Sequence, residues 1–445
     1  MVKNIKKRNS DYFSGRYFKN QVKLLRYSVY FIAAISVIYL LLNFTYCKSS
    51  LKAYSSLGNF PVIDKDKISL GYALISPHKD KGENGAIYLV DLYGKPVHKW
   101  QTKHRPLYSI LKKNGNIVTT LIAPGNDSDF PAGGRTGIIQ ELDWNGKILW
   151  EYKNDKLHHD IEILPNGNVA ALVWEPVPKD MAKKIKGGVS GTEFQGDVWA
   201  DAIIEISKSG DIVWTWHAYQ HLDTENDALG PLTPRAEWTH ANSLRYIYGY
   251  SFDDEDEAFS YEDSYLISLR EINTVAIVKK SDGSIAWRTP KSMLAYQHDA
   301  TMLPNGNVLV FDNNVFRKPS PRPLQGSRVV EIDPQKNKIV WKFDGGETGA
   351  EKARFKADIT SGAQRLPNGN TLIIHGPLGY LFEVTPEKEL VWDFINPFGS
   401  DSTPWPNTAI FKARRYGVNE IDWPEKLNSP LPTLSVMCQS IKSYI

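Results

Sequence analysis

The sequence predicts an all-β chain, a six-bladed β-propeller preceded by one N-terminal transmembrane helix. Three observations lead to this fold class. A hairpin that ends in tryptophan occurs six times, Asn-Gly turns recur between those hairpins, and one uncharged stretch near the N-terminus is long enough to cross a bilayer. The 445 residues are 42% hydrophobic and 23% charged, so a chain of this length can bury a large core.

The first 47 residues differ in composition from the rest of the chain. Residues 1–26 contain eight basic side chains and one acid, and residues 27–46 contain no charge. As a helix, this stretch spans a membrane, and the basic flank places the N-terminus in the cytoplasm. A cleaved signal peptide is the alternative, but it has small residues before its cleavage site, where Phe44, Thr45 and Tyr46 stand here.

These features predict the topology of the whole chain. We expect a basic cytoplasmic segment over residues 1–26 and a single-pass signal-anchor helix over residues 27–47. The remaining chain then lies outside the cytoplasmic membrane, facing the periplasm or the cell exterior.

Six hairpins of similar length follow one another beyond the anchor. Each consists of two extended runs joined by a turn of Gly, Asn, Asp, Lys or Pro. They end at Trp100, Trp150, Trp214, Trp287, Trp341 and Trp392. Four segments between them (LKKNGNIVTTL, ILPNGNVAALVW, MLPNGNVLVFD and RLPNGNTLII) each place an Asn-Gly turn between two strands.

Two hairpins per period, or four strands in roughly 50 residues, are the content of one propeller blade. The repeat therefore predicts a linker over residues 48–66, one six-bladed propeller over residues 67–420 and a C-terminal tail over residues 421–445. The six tryptophans are expected to be core residues that lock each blade to its neighbour.

The composition argues against several classes of function. The formal net charge is +3, from 53 basic and 50 acidic residues, so no overall field directs the chain to nucleic acid. Cys47 and Cys438 are too few for a disulfide scaffold, a thiolate zinc site or an iron–sulfur cluster. The sequence contains no G-x-x-x-x-G-K-S/T loop that would indicate a nucleotide.

Three histidines share one position relative to the repeated turns. His159 and His298 each precede the leucine of an LPNGN turn by five residues, and His240 has the like position in a blade whose turn is degenerate. Because equivalent residues of a propeller lie at one height around its axis, these imidazoles are expected to converge on the channel. They can form a metal site, an acid–base group or an anion site, or they can be packing residues. His158 is the weaker candidate, since it faces the other side of the strand unless a bulge intervenes.

Longer motifs stand in a fixed order around these histidines. They are WTHANSLRYI, YLISLREINTVAIVKKSDGSIAW, YQHDATMLPNGNVLVFDN and SGAQRLPNGNTLIIHG. This order resembles the bacterial arylsulfate sulfotransferases, the type independent of a nucleotide sulfate donor, over about residues 70–416. The resemblance implies a six-bladed propeller that moves a sulfuryl group from one phenol to another through a sulfated histidine, without a metal or other cofactor.

The resemblance also assigns roles to single residues. His298 in YQHDATMLPNGN matches the family nucleophile, and the matching active-site groups are His240, Asn242, Arg270 and His159. A sulfuryl group in transfer spreads negative charge over its oxygens, which suits the Arg270 guanidinium and the Asn242 amide N–H as donors. A neutral His298 can attack sulfur, and a protonated His240 or His159 can protonate the departing phenolate.

Alternatives remain open for both the residues and the function. Arg270 can instead be a salt-bridge partner of Glu271. A non-catalytic, membrane-tethered scaffold of the cell envelope with quinoprotein-like repeats accounts for the hairpins but does not require histidines in register. A zinc hydrolase would use the three histidines as ligands, but Arg270 beside a dication is unfavourable. We expect an aryl sulfotransferase acting on a small aryl sulfate donor and a phenolic acceptor; the sequence does not determine the natural substrates or the oligomeric state.

Overall fold

The repeats fold into a ring of six antiparallel sheets in the computed structural model. It describes residues 63–78, 84–123, 130, 132–248, 261, 263–315, 326–346, 355–399, 408–427 and 430. The expected cytoplasmic segment, the anchor helix over residues 27–47 and most of the linker lie outside the described residues. Among the residues within these ranges, no helix combines the length and the apolar character that crossing a membrane requires.

Each blade is a four-stranded sheet. Blade 1 contains β26 (Ile410–Gly417), β1 (Gly71–Pro77), β2 (Gly85–Val90) and β3 (Pro96–Thr102). Blade 2 contains β4 (Pro106–Leu111), β5 (Ile117–Ile122), β6 (Gly137–Leu142) and β7 (Ile148–Lys153). Blade 3 contains β8 (Leu157–Ile163), β9 (Val169–Pro176), β11 (Trp199–Ile206) and β12 (Ile212–His217).

The other three blades have the same order of strands. Blade 4 contains β14 (Ala241–Ile247), β15 (Ser264–Leu269), β16 (Thr274–Lys279) and β17 (Ile285–Arg288). Blade 5 contains β18 (His298–Met302), β19 (Val308–Asp312), β20 (Arg328–Asp333) and β21 (Lys338–Phe343). Blade 6 contains β22 (Gly362–Arg365), β23 (Thr371–His375), β24 (Tyr380–Val384) and β25 (Leu390–Ile395). The six-bladed propeller predicted from the hairpins is confirmed.

The first blade closes the ring. The inner strands β4, β8, β14, β18, β22 and β26 contact one another in this order, and β26 contacts β4 again. β26 comes from the C-terminal part of the chain and pairs with β1, so that Gly71 lies opposite Gly417 and Ile75 opposite Ala413. Opening the ring therefore requires breaking a sheet or separating two blades.

The repeat tryptophans connect neighbouring blades. Five indole Nε1 groups donate hydrogen bonds to oxygens of the next blade's outer turn, in the pairs Trp100–Asp143, Trp214–Lys280, Trp287–Asn337, Trp341–Pro386 and Trp392–Leu92. Trp150 instead packs under the Lys208 ammonium, which lies 5.2 Å from its ring centroid. The expected lock between blades is present, although Trp150, Trp214 and Trp341 are half-buried rather than core residues.

Apolar side chains of the middle strands form the core between adjacent sheets. One cluster joins Ile277 of blade 4 to Val310 of blade 5, both of which are fully buried. Such flat, close-packed interfaces hold the blades as rigid walls of the channel.

The two ends of the channel differ in the connections they carry. Blade 3 inserts α1 (Lys179–Ala182), β10 (Gly187–Val189), α2 (Ala218–His221) and β13 (Leu229–Pro234), with β10 paired to β13. A short 3-10 helix, Gly376–Leu378, follows β23 in blade 6. These connections lie at the end of the channel where the inner strands begin. The Asn-Gly turns that follow the inner strands lie at the opposite end.

Candidate active site

Bulges interrupt three inner strands where they begin. They lie between His158 and Ile161, between Ala241 and Ser243, and between His298 and Thr301. Next to them, three non-glycine residues have left-handed backbone, with φ of 46° at His159, 49° at His240 and 54° at Asp299. Bulges redirect side chains, and left-handed residues of this kind cluster at functional sites.

A repeated hydrogen bond shows which residues of different blades are equivalent. In blades 3, 4 and 5, one side-chain oxygen of the inner strand accepts a backbone N–H of the next inner strand. These oxygens belong to Asp160, Ser243 and Asp299, at 2.9, 3.0 and 3.2 Å. The residues before them, His159, Asn242 and His298, are therefore equivalent. The sequence placed His240 at this position, but the structure places Asn242 there, two residues later. The turn of blade 4 is degenerate and gave no fixed point from which to count.

His298 is the first residue of β18, and its ring is held by hydrogen bonds at both nitrogens. Nδ1 lies 2.7 Å from Oδ1 of Asn313 and 3.2 Å from the carbonyl oxygen of Tyr296. Because a carbonyl oxygen accepts and cannot donate, Nδ1 carries the proton. The backbone N–H of Thr360 donates to Nε2 at 3.2 Å, so Nε2 holds the lone pair.

His159 and His240 form the adjacent wall. Their ring centroids lie 4.7 Å apart, with the ring planes at 70°. The backbone at Gly134 lies against the His159 ring, where a Cβ atom would come within 2.1 Å of Nε2. Nδ1 of His240 lies 2.6 Å from Oε2 of Glu237. The His159 ring is therefore confined by the backbone at Gly134, and the His240 ring is held by Glu237.

His158 lies behind His159 rather than beside it in the site. The two Nδ1 atoms are 2.9 Å apart, because the bulge turns both rings toward the same side of the strand. The ring of His158 stacks on Trp174 with centroids 4.3 Å apart, and its Nε2 lies 3.0 Å from Oδ1 of Asp201. With a fully buried side chain, His158 supports His159 from below.

Arg270 follows β15 and is held by two contacts. Its Nε donates to Oε1 of Glu271 at 3.0 Å, and its Nη2 donates to the same oxygen. The guanidinium also lies 5.3 Å from the ring centroid of Tyr296. The ion pair that the sequence offered as an alternative is present. It leaves Nη1 without a hydrogen-bond partner among the described residues.

Asn242 is anchored through its amide nitrogen. Nδ2 donates to the carbonyl oxygen of Gln297 at 2.8 Å. Oδ1 is buried and has no hydrogen-bond partner within the described part of the chain. The Gln297 contact uses one of the two N–H groups that the sequence interpretation assigned as donors.

Burial lowers the pKa of all three central histidines. The pKa of His298 falls to about 3, and those of His159 and His240 fall well below the usual value. After burial, the positive charge of Arg270 contributes to each of these shifts, which places all three rings within its electrostatic reach. Each imidazole is neutral near pH 7. In the free protein, neither His159 nor His240 is therefore the protonated acid expected from the sequence.

Ion pairs fill the channel beneath the histidines. The ammonium of Lys412, with a fully buried side chain, lies 2.6 Å from Oδ2 of Asp160 and 3.5 Å from Oδ1 of Asp299. Arg414 and Arg245 bind the same Asp299 carboxylate at 2.5 and 3.1 Å. These buried ion pairs close the channel beneath the histidines.

Sequence reasoning missed several supporting residues. Asn313 ends the motif YQHDATMLPNGNVLVFDN and Glu237 directly precedes WTHANSLRYI, but no local pattern marked either residue as a partner of a histidine. Ser361 is the residue of blade 6 that is equivalent to His298, and Thr360 directly precedes it. The repeat could therefore have located Thr360. Among the described residues, no group of three His, Cys, Asp or Glu side chains is arranged to hold a metal ion.

The chain is similar to known proteins in sequence and in fold. The profile of a family described as Arylsulfotransferase (ASST) matches residues 113–397. Arylsulfate sulfotransferase AssT from Escherichia coli is 25% identical in an alignment of 323 residues that covers 55% of this chain and 50% of that protein. The match thus spans about half the length of that relative.

Two solved structures match this chain at low identity. A protein of unknown function from Bacteroides caccae is 13% identical, with a TM-score of 0.45 over 78% of this chain and 98% of that one. A streptogramin B lyase is 10% identical, with a TM-score of 0.39 over 75% of this chain and 87% of that one.

Proposed function

This chain belongs to the arylsulfotransferase family, and we propose that it moves a sulfuryl group from an aryl sulfate to a phenolic acceptor through a sulfated His298. One observation carries the assignment of the nucleophile. The Nδ1 proton of His298 is held by Asn313 and Tyr296, so a lone pair stands on Nε2 of a neutral, buried imidazole. Such a nitrogen attacks sulfur near neutral pH without a separate base.

The reaction consists of two displacements at sulfur. In the first, the Nε2 lone pair forms an N–S bond, the bond between sulfur and the aryl oxygen breaks, and the phenolate leaves with that electron pair. In the second, the acceptor oxygen attacks sulfur and the N–S bond electrons return to Nε2. The hydrogen bond from Nδ1 to Asn313 stabilises the positive charge of the sulfated imidazole in between.

Two donors are placed for the oxygens of the transferring group. The backbone N–H of Thr360 lies 3.2 Å from the reacting nitrogen, within reach of an oxygen on sulfur bound there. Arg270 has Nη1 available while Glu271 holds the rest of its guanidinium. Fixed donors in a buried site stabilise charge that develops in the transition state, which is the requirement of sulfuryl transfer.

We also propose the location of the reaction. The basic segment 1–26 and the uncharged stretch 27–47 support a signal anchor that places the propeller outside the cytoplasmic membrane. Protease added to spheroplasts is then expected to degrade the propeller. A propeller that is protected from protease would contradict this orientation.

The transferase activity is tested with a chromogenic aryl sulfate, 4-nitrophenyl sulfate, with phenol as acceptor and radioactive sulfur in the donor. The wild type is expected to release nitrophenolate and to carry the label. His298→Ala is expected to do neither, whereas the control His104→Ala, outside the cluster, does both. Full activity of His298→Ala, with label elsewhere on the chain, would overturn the nucleophile. A folded wild type that releases no phenol from any aryl sulfate would instead favour the non-catalytic scaffold.

A further inference from the structure

A buried carboxyl group stands directly behind His240. Oε2 of Glu237 lies 2.6 Å from Nδ1 of His240, and Oε1 accepts the indole N–H of Trp174 at 3.0 Å. Trp174 is itself fixed, because its ring stacks on His158. Both oxygens of Glu237 are therefore immobilised, and one of them is directed at the imidazole.

The surroundings decide where the protons of this pair reside. Glu237 is faced by the carboxylates of Asp201 and Glu271 and by the Arg270 guanidinium, and burial with Asp201 raises its pKa well above the usual value. Burial and Arg270 lower the pKa of His240. The pair is therefore a carboxylic acid hydrogen-bonded to Nδ1 of a neutral imidazole. In that state the remaining imidazole hydrogen is on Nε2.

We propose that Glu237 is a positioning residue that passes a proton across His240 to the phenol oxygen, so that His240 acts as acid and base without becoming a full imidazolium. The inference rests on the proposed transferase function. It is carried by the 2.6 Å contact between Oε2 and Nδ1 and by the indole that fixes the carboxyl group.

The proton transfers balance over the two half-reactions. When the phenolate leaves, Nε2–H of His240 gives its proton to the phenolate oxygen and the Glu237 proton moves from Oε2 to Nδ1. Glu237 is then a carboxylate and His240 is neutral with its lone pair on Nε2. When the acceptor phenol attacks, its proton goes to Nε2 and the Nδ1 proton returns to Oε2. No charge greater than that of one carboxylate develops on the pair.

The variant Glu237→Gln separates this transfer from simple support. An amide N–H at this position can still donate to Nδ1 and hold the ring, but it has no acidic proton to pass on. The comparison is made on the first half-reaction alone, as the single-turnover release of phenol without an acceptor, because the second half-reaction is the same for both donors. With phenyl sulfate, whose phenolate needs a proton, this rate is expected to fall on the order of 10²-fold or more. With 4-nitrophenyl sulfate, whose leaving group is weakly basic, it should stay within about threefold of wild type, because proton transfer assists weakly basic leaving groups little.

A second carboxyl–imidazole pair provides the matched control. Glu175 lies 2.8 Å from Nδ1 of His217, away from the three central histidines. Glu175→Gln is expected to leave the rates with both donors unchanged. Equal loss with the two donors in Glu237→Gln would overturn the proton transfer and leave Glu237 as structural support.

A measurement that does not need activity completes the test. Near pH 7, the difference infrared spectrum of the full chain, wild type minus Glu237→Gln, should contain a carboxylic acid C=O band. The difference between wild type and Glu175→Gln should lack it. A wild type that releases phenol but lacks this band would overturn the proton transfer alone. A wild type that has the band but reacts with no aryl sulfate would overturn the transferase function and the inference that rests on it.

Discussion

The 2.7 Å hydrogen bond between Nδ1 of His298 and Oδ1 of Asn313 determines which imidazole nitrogen is free to react. Asn313 is held in turn, because its Nδ2 donates to the carbonyl oxygens of Ala357 and Thr360. The amide therefore directs its oxygen at Nδ1 of His298. The carbonyl oxygens that hold Asn313 thus determine the tautomer of His298.

Asn313→Ala is expected to lower kcat on the order of tenfold to a hundredfold, as for other residues that orient a reactive histidine. Asn313→Asp retains an acceptor and should keep more activity than the alanine variant. Release of nitrophenolate and the ¹⁵N chemical shifts of His298 measure the two effects. Equal activity of both variants would show that the tautomer is set elsewhere.

Arg270→Ala is expected to lose transition-state stabilisation of roughly 2.7–4 kcal/mol, or about 10²–10³ in rate, as when an oxyanion donor is removed. The comparison variant is Arg288→Ala in the same blade, whose guanidinium pairs with Asp227. That variant should transfer sulfuryl groups at the wild-type rate in the same assay. A wild-type rate for Arg270→Ala would mean that Arg270 forms the ion pair with Glu271 but does not stabilise the transition state.

Gly134→Ala tests the position of His159. The glycine has φ of 84°, and a Cβ atom there would lie 2.1 Å from Nε2 of His159. The ring must move, and a shift of about 1 Å at a catalytic group can cost on the order of 10²-fold in rate. The adjacent Gly133→Ala is the control, since nothing lies within 4 Å of its Cβ position. Similar rates for the two variants would remove His159 from the site.

The depressed pKa of His298 predicts how stability depends on pH. The folded pKa of about 3 lies below the unfolded value of about 6.5, so the unfolded chain binds more protons between these limits. This contribution to stability is fully present above pH 6.5 and is lost as the pH falls toward about 3. For this histidine, the free energy of unfolding should decrease with a slope that rises toward about 1.4 kcal/mol per pH unit as the pH falls well below 6.5.

Urea denaturation at pH 6.5 and pH 5.5 measures this loss. His298→Gln should lose about 1 kcal/mol less than the wild type between the two pH values, because the unfolded histidine is already half protonated at pH 6.5. The same difference for both proteins would show that His298 titrates normally in the folded state.

Trp392→Phe tests the closure of the ring. The variant keeps an aromatic ring but leaves the buried carbonyl oxygen of Leu92 without its donor, which costs about 1–3 kcal/mol. Trp341→Phe removes the exposed bond to Pro386, where water can replace the indole, and should cost less. Free energies of unfolding from urea titrations compare the two. A larger cost for Trp341→Phe would mean that packing outweighs the hydrogen bond.

The blades could be predicted from the sequence because their signals are local. An Asn-Gly turn between two extended runs marks one hairpin of a blade, and a short turn followed by tryptophan marks the other, whatever the rest of the chain does. His159 and His298 could be located in the same way, since each stands five residues before a regular turn. Where the turn of blade 4 is degenerate, the same reasoning placed His240 two residues from its true register.

The sequence by itself determined the ring of six blades, the family resemblance and the histidines at its centre. The tertiary structure decided which nitrogen of His298 holds the lone pair, that His158 lies behind His159, and that Glu237 stands behind His240. The first depends on Asn313, 15 residues away in the same blade, and on Thr360, 62 residues away and just before blade 6. The second depends on a bulge, and the third on the indole of Trp174 in blade 3. Burial at the closed centre of the ring also sets the charge of the histidines, since it removes the water that would stabilise their protonated form.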